Sequence, residues 1–127
     1  MGFTFSKEER LCSRRLIDHL YTEGHRLMAF PFSVQWMVHP NSIPAQVMMV
    51  APKRKFHHAV DRNRVRRLTR ECYRLMKPSF YAFLEEQGVS IVFSMVYVHN
   101  EILTFDQLSK KMEKLLEALE KDIVNTL

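Results

Sequence analysis

The run Val89-Ser-Ile-Val-Phe-Ser-Met-Val-Tyr-Val98 is apolar at eight of its ten positions and follows Gly88, a helix stop. A strand without polar alternation has to be covered on both faces, so this segment predicts the centre of a sheet in a layered domain. A length of 127 residues allows one core of useful volume and not two, so residues 1–127 are read as a single domain. With 46% hydrophobic residues, 26% charged and 3 Gly, the composition is that of a compact globule rather than a disordered tail. The N-terminal Met1 to Arg10 lacks the basic-then-apolar layout of a secretion signal, and no window approaches the length of a membrane span. Gly2 without a second anchor is discarded as a myristoylation site. A soluble, cytoplasmic protein without a membrane partner is expected. Cys12 and Cys72 have no CxxC or CxxH companion, so neither a zinc site nor a redox pair is signalled.

The remaining elements follow from periodicity. Ser13 to Glu23 places Leu16, Ile17, Leu20 and Tyr21 on one helical face, with Gly24 as its stop. Arg26 to Val38 alternates with Phe32, Val34, Trp36 and Val38 on one side, and a shorter strand precedes Pro31. Ala45 to Ala51 reads as a strand joined to the previous one by a hairpin-length loop, which predicts an antiparallel pair. A long helix is predicted from Ala59 to about Gln87, kinked or interrupted at Pro78. Thr104-Phe-Asp-Gln is a capping-box signature opening a helix whose buried stripe is Leu108, Met112, Leu115, Leu119 and Ile123. The sum is an α+β fold, a single sheet packed with helices. Its strand–helix–strand succession predicts a parallel crossover, right-handed by default.

The net charge of +5 is modest, but its placement is not. Between Lys53 and Arg74 lie nine basic and two acidic residues, a local charge of +7, which leaves the other 105 residues at −2. Such a concentrated field suits a polyanion. From Arg62 onward every one of these bases is arginine, whose planar fork matches phosphates and base edges. At 100° per residue Arg66, Arg70 and Arg74 line up, with Asn63 and Arg67 beside them. Val65, Leu68, Cys72, Leu75 and Met76 fall opposite. The competing reading is a solvated helix face paired with Asp61 and Glu71, but two acids cannot neutralise this many bases. RNA or DNA binding is the better reading.

Ala59-Val-Asp-Arg-Asn-Arg-Val-Arg-Arg-Leu-Thr-Arg-Glu-Cys-Tyr-Arg74 resembles the arginine-rich motif of the bacterial ribonuclease P protein subunit, the small basic partner of a catalytic RNA. The Arg62-Asn63-Arg64 core, the Arg66-Arg67 pair and the Arg70-Glu71 step occur in register, after a strand and a Lys-rich loop. The resemblance extends over most of the chain, including Arg10-Leu11. It implies a left-handed βαβ crossover, as in the second domain of ribosomal protein S5, in place of the default hand. It implies that Arg62, Asn63, Arg64, Arg66, Arg67 and Arg70 contact the catalytic RNA, with Lys53, Arg54 and Lys55 near the substrate or the same RNA. It further implies a cleft between the first helix and the sheet that holds the single-stranded 5′ leader of precursor tRNA. The matching helix positions are Ile17 and Tyr21; on the strand Phe32, Val34 or Trp36 face either the cleft or the core, since a one-residue slip exchanges the faces, and Trp36 is assigned to the cleft with Phe32 and Val34 read as core. The partners implied are the ribonuclease P RNA and precursor tRNA, with no obligatory protein partner. The adjacent His57 and His58 read as solvated loop residues rather than a metal pair.

No acid cluster suited to metal-assisted phosphodiester hydrolysis is present, and no acid and base poised across a phosphate. Glu113 and Glu117 read as i,i+4 partners of Lys residues. No catalytic residue and no metal ligand is therefore assigned to the protein, and the resemblance places Mg²⁺ and the chemistry on the RNA. The alternatives are a non-catalytic RNA-binding protein, for instance one associated with the ribosome, and a self-contained nuclease. A helix-turn-helix DNA reader is disfavoured because no second short helix precedes the basic one.

Overall fold

The computed structural model describes residues 5–127; Gly2 and its neighbours in 1–4 lie outside the described residues. A 3-10 turn at Lys7–Glu9 precedes α1 (Arg14–Glu23), β1 (His25–Ala29), β2 (Phe32–Val38), β3 (Ala45–Val50), α2 (Ala59–Gln87), β4 (Ile91–Tyr97) and α3 (Phe105–Thr126). The four strands form one sheet in the order β1-β2-β4-β3. The apolar run is central: β4 lies antiparallel to β2 and parallel to β3. This corrects the expected β2–β3 hairpin. The two strands do run in opposite directions, but β4 is inserted between them. Central placement covers both faces of a strand with no polar side, whereas β3, half-buried at Met48, Met49 and Val50, tolerates the edge.

Each helix boundary has a local cause. The Ser13 hydroxyl accepts the Leu16 N–H at 3.3 Å and opens α1. At its other end a Cβ on Gly24 would lie 2.4 Å from the Leu20 carbonyl oxygen and 3.2 Å from that of Trp36, so only glycine lets the chain turn there into β1. Gly88 closes α2 in the left-handed conformation, φ 71°, and Val89 N–H reaches back to the Leu84 carbonyl at 3.2 Å. The capping box of α3 is present in both directions, Gln107 N–H to Thr104 at 3.2 Å and Thr104 N–H to Gln107 at 3.0 Å. Pro78 does not interrupt α2. Buried Cys72 and Tyr73 before it, and Phe80 and Leu84 after it, hold both halves against the sheet.

The sheet separates two apolar clusters. On one face Phe32, Val34, Trp36, Phe93, Met95 and Tyr97 pack with α2 and α3. On the other, Met37 and Val92 pack with Leu11 and Leu20, while Leu16 and Ile17 of α1 close over them. Trp36 therefore does not line a cleft beside α1, which corrects its assignment. It shares the inward parity of Phe32 and Val34, is 0% exposed, and its indole N–H donates to the Asp122 carboxylate of α3 at 2.7 Å. We expect Trp36→Phe to cost about 1.5 kcal/mol in urea unfolding, the worth of a hydrogen bond to a charged group. A loss of under a few tenths would show that the α3 contact is incidental.

The buried stripe of α2 is also rotated from its expected position. Val65, Thr69, Cys72, Tyr73, Lys77, Phe80 and Leu84 are buried, whereas Leu75, expected to be inward, is 44% exposed. The rotation brings Tyr73 edge-on to Phe5 and carries Lys77 inward to an ion pair with Glu9. Tyr81 donates to the same carboxylate, and the Ser6 N–H does so at 2.8 Å. Burial pushes the Glu9 carboxyl up, but the hydrogen bonds from Lys77, Tyr81 and Ser6, with the Lys77 charge, outweigh it and hold it below its ordinary value. This pairing fixes the N-terminal segment against the domain. Arg10 and Val47 then form a parallel bridge, and Leu11 N–H donates to the Val47 carbonyl at 3.0 Å along the edge of β3.

Candidate nucleic-acid interface

The first four turns of α2 carry the basic motif, and burial of Val65, Thr69 and Cys72 turns the other side outward. Asn63, Arg64, Arg67 and Arg70 are exposed and Arg66 is half-buried. Among the described residues, Arg64, Arg67 and Arg70 have no ion-pair or hydrogen-bond partner. The neighbours are committed differently. Arg66 donates to the Asn63 side-chain oxygen. Arg74 pairs with Glu71 three residues earlier at 2.7 Å, and its hydrogen bond holds the Glu71 carboxyl below the usual range. The acid of this segment that forms an ion pair is thus occupied by the last arginine and leaves the earlier ones available. Arg62 turns back: its Nη1 donates to the carbonyls of Phe56 at 2.8 Å and His57 at 3.0 Å.

The loop before α2 is built rather than loose. Lys55 and Phe56 N–H both donate to the Pro52 carbonyl at 3.1 Å, Phe56 is buried against Tyr97, and Lys55 Nζ donates to the Asn100 side chain at 3.0 Å. Lys53 and Arg54 stand exposed at its tip, and His57 and His58 are exposed beyond it. The structure thus brings loop and helix together as one basic surface.

The predicted cleft residues separate. Ile17 is half-buried under α1 against the sheet, Tyr21 is 40% exposed at the margin of the same helix, and Trp36 is on the opposite face. Strand parity gives the face beside α1 to other residues. Met28, Ser33, Val96 and Val50 form one transverse row, and Arg26, Gln35, Ser94 and Met48 the next. Since α1 covers Met37 and Val92, the first row stays open: Met28 is exposed and Ser33, Val96 and Val50 are half-buried. This row lies at the end of the sheet from which β3 leaves toward Lys53.

The family model for ribonuclease P matches residues 5–120. The chain belongs to the ribonuclease P protein family. A ribonuclease P protein component from Porphyromonas gingivalis is 34% identical over 117 residues, covering 90% of this chain and 85% of that one. One from Petrotoga mobilis is 30% identical over 124 residues, covering 94% and 98%. Among solved structures, the Staphylococcus aureus RNase P protein aligns with a TM-score of 0.72 at 17% identity, covering 87% of this chain and 94% of that one. The Thermotoga maritima RNase P protein gives 0.70 at 21%, covering 87% and 96%. The fold is thus the α+β sheet-and-helix architecture of the second domain of ribosomal protein S5, as the resemblance implied. Membership makes the chain a component of a tRNA-processing ribonucleoprotein enzyme, with an RNA partner.

Two further features bear on this ribonuclease P family member. No described helix is long and apolar enough to cross a membrane. The cavity between α2 and α3, about 510 Å³, is rimmed by Glu113, Glu117 and Glu120, an acidic lining unsuited to a phosphate backbone. Burial, and then the neighbouring Glu117, push the Glu120 carboxyl up.

Proposed function

We propose that the exposed face of α2 binds the catalytic RNA of ribonuclease P, and that the open row beside α1 receives the single-stranded 5′ leader of precursor tRNA. The observation that carries this reading is the unpartnered trio Arg64, Arg67 and Arg70 on one exposed face, contiguous with the Lys53–Lys55 loop. Guanidinium groups held on a rigid helix neutralise phosphates without first breaking internal pairs. Asn63 and Arg66 complete this face as a hydrogen-bonded pair. In the cleft, Tyr21 offers a ring for stacking and Ile17 supports α1 from below. Ser33 takes the strand position first assigned to Trp36, because its half-buried side chain lies in the open row on the α1 side of the sheet.

The protein's part is to bring two polyanions together and to raise affinity for the substrate; cutting belongs to the RNA, which carries the Mg²⁺. Among the described residues no group of three or more His, Cys, Asp or Glu side chains converges on one point. The test is cleavage of labelled precursor tRNA at low Mg²⁺ by the protein alone, by the ribonuclease P RNA of the same genome alone, and by both. We expect the mature 5′ end only from the mixture. A mixture no better than RNA alone would assign the basic face to another RNA, and cutting by protein alone would overturn the non-catalytic role.

A further inference from the structure

We propose that Arg62, the first arginine of the motif, is a positioning residue that clasps the basic loop onto α2, rather than a phosphate ligand in its own right. This rests on the reading that the loop and helix bind RNA together.

The geometry is specific. His58 precedes α2 without a side-chain cap, so no N-cap side chain ties the start of the helix to the loop. Arg62 lies one turn inside the helix, and its Nη1 reaches back over that turn to the Phe56 and His57 carbonyls, at 2.8 and 3.0 Å. Two acceptors on one nitrogen define the direction of the side chain and leave it half-buried rather than extended into solvent. Phe56 is itself anchored, 7% exposed and 5.8 Å ring-to-ring from Tyr97. The clasp therefore joins the start of α2 to a plug in the core, while the Pro52 turn and the Lys55–Asn100 hydrogen bond hold the other end of the loop. Between these ties stand Lys53 and Arg54, whose own side chains make no hydrogen bond or ion pair among the described residues. Arg64, Arg67 and Arg70 are free in the same way, one to two turns along the helix. Arg62 thus sets the spacing between two groups of free cations, so that a folded RNA meets both in one approach.

The experiment is a double-mutant cycle on affinity for the ribonuclease P RNA of the same genome, at fixed salt. Arg62→Ala is combined with Lys53→Ala/Arg54→Ala, and Arg67→Ala serves as the comparison. We expect Arg62→Ala to weaken binding about tenfold in the native background and less than about twofold once Lys53 and Arg54 are removed. Arg67→Ala should weaken it by the same factor in both backgrounds. An equal loss for Arg62→Ala in both backgrounds overturns the proposal and gives Arg62 a phosphate of its own. A second measurement needs no RNA: limited trypsin digestion of the free protein. Arg62→Ala should speed cleavage after Lys53, Arg54 and Lys55 severalfold while leaving other sites and Arg64→Ala digestion unchanged. Native-rate cleavage in the loop overturns the clasp. If the RNA measurements show no effect of Arg67→Ala or of the loop substitutions, the RNA-face reading fails, while the digestion still decides the clasp.

Discussion

Lys77→Met is expected to destabilise the protein by about 3 kcal/mol, the cost of leaving one member of a buried ion pair uncompensated. Lys77 and Glu9 have side chains 4% and 8% exposed, so water cannot take over the lost partner without opening the N-terminal segment. Tyr81 and the Ser6 N–H still donate to Glu9, which is why the expected cost lies at the low end for such pairs. The double replacement Glu9→Met/Lys77→Met should recover most of the loss, since a buried pair exchanged for apolar groups of similar volume is often neutral. The pH dependence gives an independent check. The Glu9 carboxyl is held below its ordinary value of 4.5 in the folded chain, so its contribution is present above that pH and is lost as pH falls through the lower folded value. The Lys77→Met penalty, read from urea midpoints, should therefore shrink below about pH 4.5. A penalty under about 1 kcal/mol at neutral pH, or one that acid leaves unchanged, would show that the pair is not what holds the segment.

Arg67→Glu combined with Arg70→Glu should weaken binding to the ribonuclease P RNA by about 100-fold near physiological salt, through two lost contacts and two new repulsions. Thermal stability should stay near native because neither side chain has a partner within the described residues, and surface changes of this kind fall within about 0.5 kcal/mol. The slope of log affinity against log salt should also flatten, by about 0.7 to 0.9 for each phosphate contact removed. Native affinity in a folded variant would place the RNA elsewhere on the molecule. Arg74 is a poorer target, because reversing it also breaks its pair with Glu71.

Much of this architecture is legible in the sequence because local chemistry and tertiary need coincide. Ser13, Gly24, Gly88 and Thr104 mark helix ends with the residue types that the backbone groups there require, and the apolar Val89–Val98 run declares its central place. Strand order is different. Two strands separated by a short loop look like a hairpin until a distant third strand inserts between them, and that competition is non-local. Trp36 illustrates a related limit. Its alternation with Phe32 and Val34 is plain, but which side of the sheet they share depends on which helices cover it. Lys77 left a signal that periodicity alone discounts: with Tyr73, Phe80 and Leu84 it sits in a buried stripe, so a cation there calls for a buried acid. The acid lies 68 residues away in the chain, beyond the reach of a local pattern. In the basic segment residue types name the chemistry, but only the folded structure separates Arg64, Arg67 and Arg70, which face solvent, from Arg62, Arg66 and Arg74, which bond within the chain.

The bridge between Arg10 and Val47 has a consequence for how the protein behaves before it meets its RNA. β3 is an outer strand of an open sheet, and an outer strand offers a ladder of free amide and carbonyl groups to any extended chain that drifts past. Here the molecule supplies its own extended chain: Arg10 and Leu11 occupy part of that ladder, and Gln46 ties the Glu8 carbonyl alongside at 3.0 Å. The buried Glu9 anchor thus holds an upstream stretch of the same chain where a neighbouring molecule's strand would otherwise pair, so that part of this margin is already taken.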